Sequence, residues 1–368
     1  GVNGGAFARS LQVDNCQFYG NHNSDGGGAL SSYNSGASTL PIDITVKRST
    51  FTGNSTYYDG GALRVESNYF LATATGPSSS SVTIEDCIFE DNTRLASGGI
   101  QYGGAVSIKT SHYATIRDSL FKNNESQTAG ESYSGALHLL GVEEPLVEGC
   151  VFDGNKAAHF GGAIAITDCG NRNSGLNIYG QIRYCTFLRN EADLGGAIFI
   201  NNQGGQLLHV QNVTFASNQA TTGRGLYYNF GPFTNTFVNS VTMIEDDLGW
   251  SASGGTFQVS NLVMMDTTLI VAGPMIQNNV MALGQSAGTD LDAYNINDLT
   301  RNMGAKILSS SYLYGNGSPT DVILGPAITS RGLSQNGQSR KASPDIGAYE
   351  LLPDVPANYT VNYYQLGG

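Results

Sequence analysis

Phe152-Asp-Gly-Asn155 followed by Gly161-Gly-Ala-Ile164 is the stretch from which the rest of this chain can be read. Its first half recurs at Phe18/Asn21, Phe51/Asn54, Phe89/Asn92, Phe121/Asn124, Phe152/Asn155, Phe187/Asn190 and Phe215/Asn218. Its second half recurs at Gly4, Gly27, Gly60, Gly103, Gly161 and Gly195, with altered copies at Ser134-Gly-Ala136 and Gly223-Arg-Gly225. Successive phenylalanines are 33, 38, 32, 31, 35 and 28 residues apart. Repeats of that length mark a stack of similar units, none of which can bury its apolar face alone.

Aligning the chain on the phenylalanine exposes columns. Five residues earlier stand Val13, Val46, Ile84, Ile116, Val147, Ile182 and Val210, a uniformly β-branched, inward-facing set. After Gly-Gly-Ala, the pairs Leu63/Val65, Val106/Ile108, Leu137/Leu139, Ile164/Ile166 and Ile198/Ile200 alternate with Arg64, Ser107, His138, Ala165 and Phe199. Period two is a half-buried strand, so the second set is expected to face solvent. Each unit thus holds at least two short strands separated by Asn-, Asp-, Ser- and Gly-rich turns. The fold expected is all-β, a right-handed parallel β-helix in which like residues stack as phenylalanine, asparagine and aliphatic ladders. Four residues before each phenylalanine the sign alternates: Asp14, Lys47, Glu85, Arg117, Glu148 and Arg183, ending at Gln211. Such a column sets register more than stability, and Arg117→Glu is expected to cost more than Arg64→Glu.

The domain reading is regular coils over residues 1–229, irregular coils and a C-terminal cap over 230–352, and a strand-like tail over 353–368. The chain opens in mid-repeat with Gly1-Val-Asn-Gly-Gly-Ala6, which predicts a segment upstream of it. Insertions at 31–40, 68–81, 96–101, 128–133 and 168–175 read as surface loops. The tail carries Tyr359, Val361, Tyr363 and Tyr364, a self-assembly element by strand addition.

Composition narrows the function. The net charge is −12 and only 13% of residues are charged, which argues against nucleic acid as a partner. No apolar run reaches the roughly 18 residues of a membrane span. The five cysteines are too few for a disulfide scaffold. Cys16, Cys87, Cys150 and Cys185 share a column with Ser49, Ser119 and Val213, which reads as a small buried position. Cys150 and Cys185 would lie on adjacent coils, where pairing is open to them. Cys169 reads as a turn residue.

Gly-Gly-Ala-[Ile/Leu/Val] alternating with Phe-x-x-Asn resembles the repeat of chlamydial polymorphic outer-membrane proteins, over roughly residues 1–230. Asn336-Gly-Gln-Ser-Arg340 and Pro344-Asp-Ile-Gly-Ala-Tyr-Glu350 resemble the C-terminal signature of secreted bacterial β-helix proteins that carry a separate surface anchor. The resemblance implies export and a role in adhesion or surface structure without catalysis.

Parallel β-helices also carry polysaccharide lyases and glycoside hydrolases, which need convergent carboxylates. The candidates are Glu143-Glu144, Glu245-Asp-Asp247 and Asp290-Leu-Asp292; each reads as a solvated loop charge. The run Asp290–Asp298 has part of a calcium loop's spacing but lacks its central glycine and closing glutamate. His22, His112, His138, His159 and His209 fall in different columns without metal-ligand spacing and read as surface or turn residues. Asn-x-Ser/Thr sequons stand at Asn54, Asn124, Asn212, Asn316 and Asn358; the first two are ladder positions and expected to be buried. The expectation is a non-enzymatic, extracellular rod at the cell surface, without cofactor or metal. Its expected partners are copies of itself end to end, or a host or surface glycan or protein. The alternative is a polysaccharide-active enzyme on the same scaffold.

Overall fold

The computed structural model describes residues 9–33, 42–67, 80–96, 98–127, 130–169, 179–202, 207–230, 235–251, 256–265, 275–283, 291–292 and 306–307. Short strands follow one another around a coil and pair in parallel with their counterparts above and below. This is the right-handed parallel β-helix expected from the repeat.

The leading strand of each coil, such as Tyr113–Arg117, builds a first wall. The phenylalanine strand, such as Leu120–Lys122, builds a second. Two-residue strands after the asparagine, such as Glu125–Ser126, build a narrow third. The strand after the glycines, such as Leu137–Leu140, closes the coil. The first corner is a single left-handed residue, Asn15, Arg48, Asp86, Asp118 and Tyr184 among others, each at φ between 46° and 57°. One strained residue per corner is tolerated because coils on both sides hold the backbone in place.

Register is one repeat per coil throughout. Phe18, Phe51, Phe89, Phe121, Phe152, Phe187 and Phe215 stack with ring centroids 4.7–5.1 Å apart and planes within 16° of parallel. Isolated rings favour offset or edge contacts, so it is the coil spacing of about 4.8 Å that imposes this near-parallel stack. Beneath the rings, each ladder asparagine accepts twice from the asparagine of the preceding coil. Asn124 donates its N–H at 3.0 Å and its Nδ2 at 2.9 Å to Asn155 Oδ1. The same Nδ2 also donates to Phe89 O at 2.9 Å. The pattern runs unbroken from Asn21 to Asn218, and Asn54, Asn92, Asn124, Asn155 and Asn190 are fully buried. A buried amide is tolerated only when its donors and acceptor are used, and here they are.

The paired glycines have separate jobs. Gly103 sits at φ +73°, a conformation side chains rarely adopt. Gly104 is needed for close approach: a Cβ there would lie 1.9 Å from the Gly135 carbonyl oxygen of the next coil.

The parallel stacking continues past residue 229 through Asn235–Ile244, Thr256–Met265 and Met275–Leu283. In these coils Met243 and Met264, both buried, take the phenylalanine position. Leu291–Asp292 and Lys306–Ile307 form a small antiparallel pair. The remainder of the cap and the tail lie outside the described residues.

Opposed charges fall on neighbouring rungs of the first wall. Lys47 Nζ lies 2.6 Å from Glu85 Oε2. Arg117 and Arg183 approach Glu148 Oε2 from either side at 3.4 and 3.3 Å. The hydrogen bond from Lys47 is the main cause holding the Glu85 carboxyl below its usual range. At the end of the column, Asp14 pairs with Arg48 instead of its register partner Lys47.

Candidate functional surface

The outer face of the closing wall is not the solvent face expected from its alternation. Ser107, His138, Ala165 and Phe199 are buried there. The residue ahead of each glycine pair folds back across them. Gln101–Tyr102 pairs with Ser132–Tyr133, and isolated bridges continue from Tyr133 to Phe160, Leu194 and Thr222. The stretches around 101 and 132, expected as surface loops, therefore end in this second layer, with Gln101 and Ser132 buried. Tyr102 stacks on the His138 ring at 4.4 Å, Tyr133 meets Phe160 at 4.6 Å, and Phe160 meets Phe199 at 4.7 Å. Apolar area removed from water, not local propensity, holds the layer down.

Towards lower residue numbers the same face becomes charged. Lys109 Nζ sits 4.2 Å above the Tyr102 ring and 2.6 Å from Asp59 Oδ2. Asp59 Oδ1 also accepts from the Tyr102 backbone N–H at 3.2 Å. Arg64 lies 4.7 Å over the Tyr33 ring, pairs with Glu66 at 2.6 Å and donates to Asp25 O at 2.7 Å. Burial pushes the Tyr102 phenol up to about 12. Burial, helped by Lys109, also pushes the His138 imidazole well below its usual value, so it is neutral at pH 7. Its Nε2 faces Thr167 Oγ1 at 3.5 Å, while Nδ1 has no partner among the described residues. Sequence reading missed this surface. The signal was Tyr102, Tyr133 and Phe160, one large ring ahead of the glycine pair in consecutive coils.

Of the carboxylates singled out from sequence, Glu143, Glu144, Asp246 and Asp247 are not simple loop charges. Glu143 is buried and bonded to His112 Nδ1, and Glu144 opens the strand Glu144–Glu148, 3.8 Å from His112 Nε2. Asp246 and Asp247 are buried as well. Asp246 takes the next rung of the asparagine ladder, accepting from Asn218 N at 3.0 Å and Nδ2 at 2.8 Å. Burial pushes its carboxyl well above the usual range, opposed by these two bonds. Asp247 Oδ2 pairs with Arg224 Nε at 3.2 Å. Glu245 is exposed and accepts from Ser217 Oγ at 2.5 Å, at the rim of a shallow hollow of about 310 Å³ that Arg224 also lines.

The histidines divide. His22 is exposed and His159 partly so, as expected, whereas His138 and His209 are core residues. His138 stands at an outward strand position that Tyr102 covers, and His209 lies buried within the strand Leu207–Ala216. His209 is brought down to about 4 by burial. Among the described residues no group of His, Cys, Asp or Glu is gathered as a metal ion would require. Of the Asp290–Asp298 run only Leu291 and Asp292 are described. Tyr359, Val361, Tyr363 and Tyr364 lie outside the described residues, as do Asn316 and Asn358. The sequon asparagines Asn54, Asn124 and Asn212 are all buried.

Residues 78–242 match the family model described as the right handed beta helix region. No curated protein and no solved structure matches the chain. With parallel strands, one repeat per coil and ladders on consecutive rungs, the chain is a right-handed parallel β-helix repeat protein.

Proposed function

We propose that this chain is a non-enzymatic, extracellular structural protein, a stiff rod that either presents its lateral surface for adhesion or assembles end to end. One observation carries the reading: the phenylalanine stack and the asparagine ladder run in a single register through every coil from Phe18 to Phe215. The buried ladder asparagines are used to join coil to coil. Asp246 and Asp247 follow that rule, since both bond to the preceding coil. A shaft built this way resists bending, because any bend must open hydrogen bonds on one side.

The competing reading, a polysaccharide-active enzyme, has one observation in its favour: the hollow that Arg224 and Glu245 both line. Electron microscopy of purified protein and assays for release of sugar ends from acidic and neutral polysaccharides separate the two. Rods or fibres without sugar release support the structural role. Fibres that vanish when 353–368 is deleted, with far-ultraviolet circular dichroism unchanged, select end-to-end assembly. Sugar release that is lost in Glu245→Gln overturns the non-enzymatic reading.

A further inference from the structure

We propose that Cys150 and Cys185 form a covalent closure site, the two thiols that an oxidising environment joins into a disulfide between successive coils. The column to which they belong reads Cys16, Ser49, Cys87, Ser119, Cys150, Cys185, Val213. Cysteines separated by a serine rung stand two coil spacings apart, about 9.6 Å, beyond the roughly 7 Å that a disulfide can span. Only Cys150 and Cys185 occupy consecutive rungs of this column. The fifth thiol, Cys169, lies at the end of the closing wall, where its Sγ donates to Leu139 O at 3.3 Å.

The pairing geometry is fixed from both sides. Glu148 stands opposite Arg183 and Val151 opposite Thr186, and Thr186 N donates to Cys150 O at 3.0 Å. Adjacent parallel strands put the two Cα atoms about 4.8 Å apart, inside the 4.4–6.8 Å range of disulfides. Both side chains turn the same way: Cys150 Sγ lies 3.3 Å from Glu148 O, and Cys185 Sγ lies 3.2 Å from Arg183 O. Cys185 is also near enough to Cys150 to add to the rise of its thiol above the ordinary value. Both residues are present as thiols and are fully buried.

The oxidant is a small disulfide such as oxidised glutathione. One cysteine thiolate attacks it, forming a mixed disulfide and releasing one small thiol. The second cysteine thiolate then attacks the protein sulfur of that mixed disulfide, and the second small thiol leaves. Two protein thiols are oxidised and one small disulfide is reduced, with the protons passing to the two departing thiolates. Burial raises the Cys150 thiol well above its usual value, so thiolate is scarce in the finished coil. Closure therefore belongs to the stage at which these coils assemble, when the thiols are still exposed to solvent.

The test is refolding from denaturant with either reduced or oxidised glutathione, followed by iodoacetamide in denaturant, intact mass and peptide mapping. The expected result is two fewer alkylated thiols in the oxidised chain than in the reduced one, and a linked peptide pair containing Cys150 and Cys185. Serine already serves this column at Ser49 and Ser119, so Cys185→Ser should fold and lose the link; Cys150→Ser gives the same comparison independently. Full alkylation after oxidative refolding, or a link through Cys16, Cys87 or Cys169, overturns the proposal.

Discussion

Removing one amide from the middle of the asparagine ladder should cost several times more than removing one from its end. Asn155→Ala deletes the bonds that Asn155 Oδ1 accepts from Asn124 N and Nδ2, and those that its Nδ2 donates to Phe121 O and Asn190 Oδ1. Three of the four former partners keep another bond. Asn124 Nδ2 still reaches Phe89 O at 2.9 Å, and Asn190 Oδ1 still accepts from Asn155 N at 3.0 Å. Phe121 O stays within the parallel ladder to Val151–Asp153. The Asn124 N–H loses its bond outright inside the shaft. At about 1–3 kcal/mol for that unsatisfied group and about 0.5–1.5 kcal/mol for each of the other three bonds, the variant should lose about 2.5–7.5 kcal/mol. Asn21→Ala removes one bond from an exposed residue, to Asn54 Oδ1 at 2.8 Å, and that oxygen keeps the Asn21 N–H at 3.0 Å. Its cost should be about 0.5–1 kcal/mol. Urea titration of both variants reads the difference as a shift in midpoint at constant slope. Hydrogen exchange at the Asn124 amide should quicken only in Asn155→Ala. Equal midpoints for the two variants would refute the reasoning that the ladder's buried bonds hold the coils together.

Gly104→Ala puts a methyl group 1.9 Å from the Gly135 carbonyl and should unfold or strongly destabilise the shaft. Gly53→Ala meets nothing within 4 Å and should cost only about 1–2 kcal/mol for its left-handed backbone, as read by thermal melts. Asp246→Asn keeps an oxygen for both Asn218 donors and removes a buried charge. A carboxyl held above its ordinary pKa stabilises the fold when protonated and loses that contribution as pH rises, so the variant's melting-point gain should grow from pH 5 to pH 8. A gain that shrinks over that range reverses the sign and sinks the argument. Arg117→Glu sets three acids in a row with Glu85 and Glu148 and should cost about 1–2 kcal/mol at low salt. Raising the salt should recover most of that loss, because these side chains are partly exposed. Arg64→Glu is a poor control for this effect, since Arg64 has its own pair with Glu66 and a stack on Tyr33.

The repeat was legible because a solenoid writes its contacts into sequence spacing: a residue touches its counterpart one repeat away, so columns become ladders. That is why Phe89, Phe121 and Phe152, Asn92, Asn124 and Asn155, and the alternating Glu85, Arg117 and Glu148 could be placed side by side from letters alone. What the columns could not state is which outward positions a second segment covers. His138 and Phe199 alternate like solvent-facing residues, yet Tyr102, Tyr133 and Phe160 fold across them through turns of unequal length. Asp246 and Asp247 looked like loop charges because the methionine at position 243 hid the rung, and only the pairing of Phe215 with Met243 restored it. Sequence alone determined the coil and its ladders, since those depend on spacing. The tertiary structure decided burial on the outer face and the role of the acidic residues, since both depend on how much water a neighbouring segment excludes.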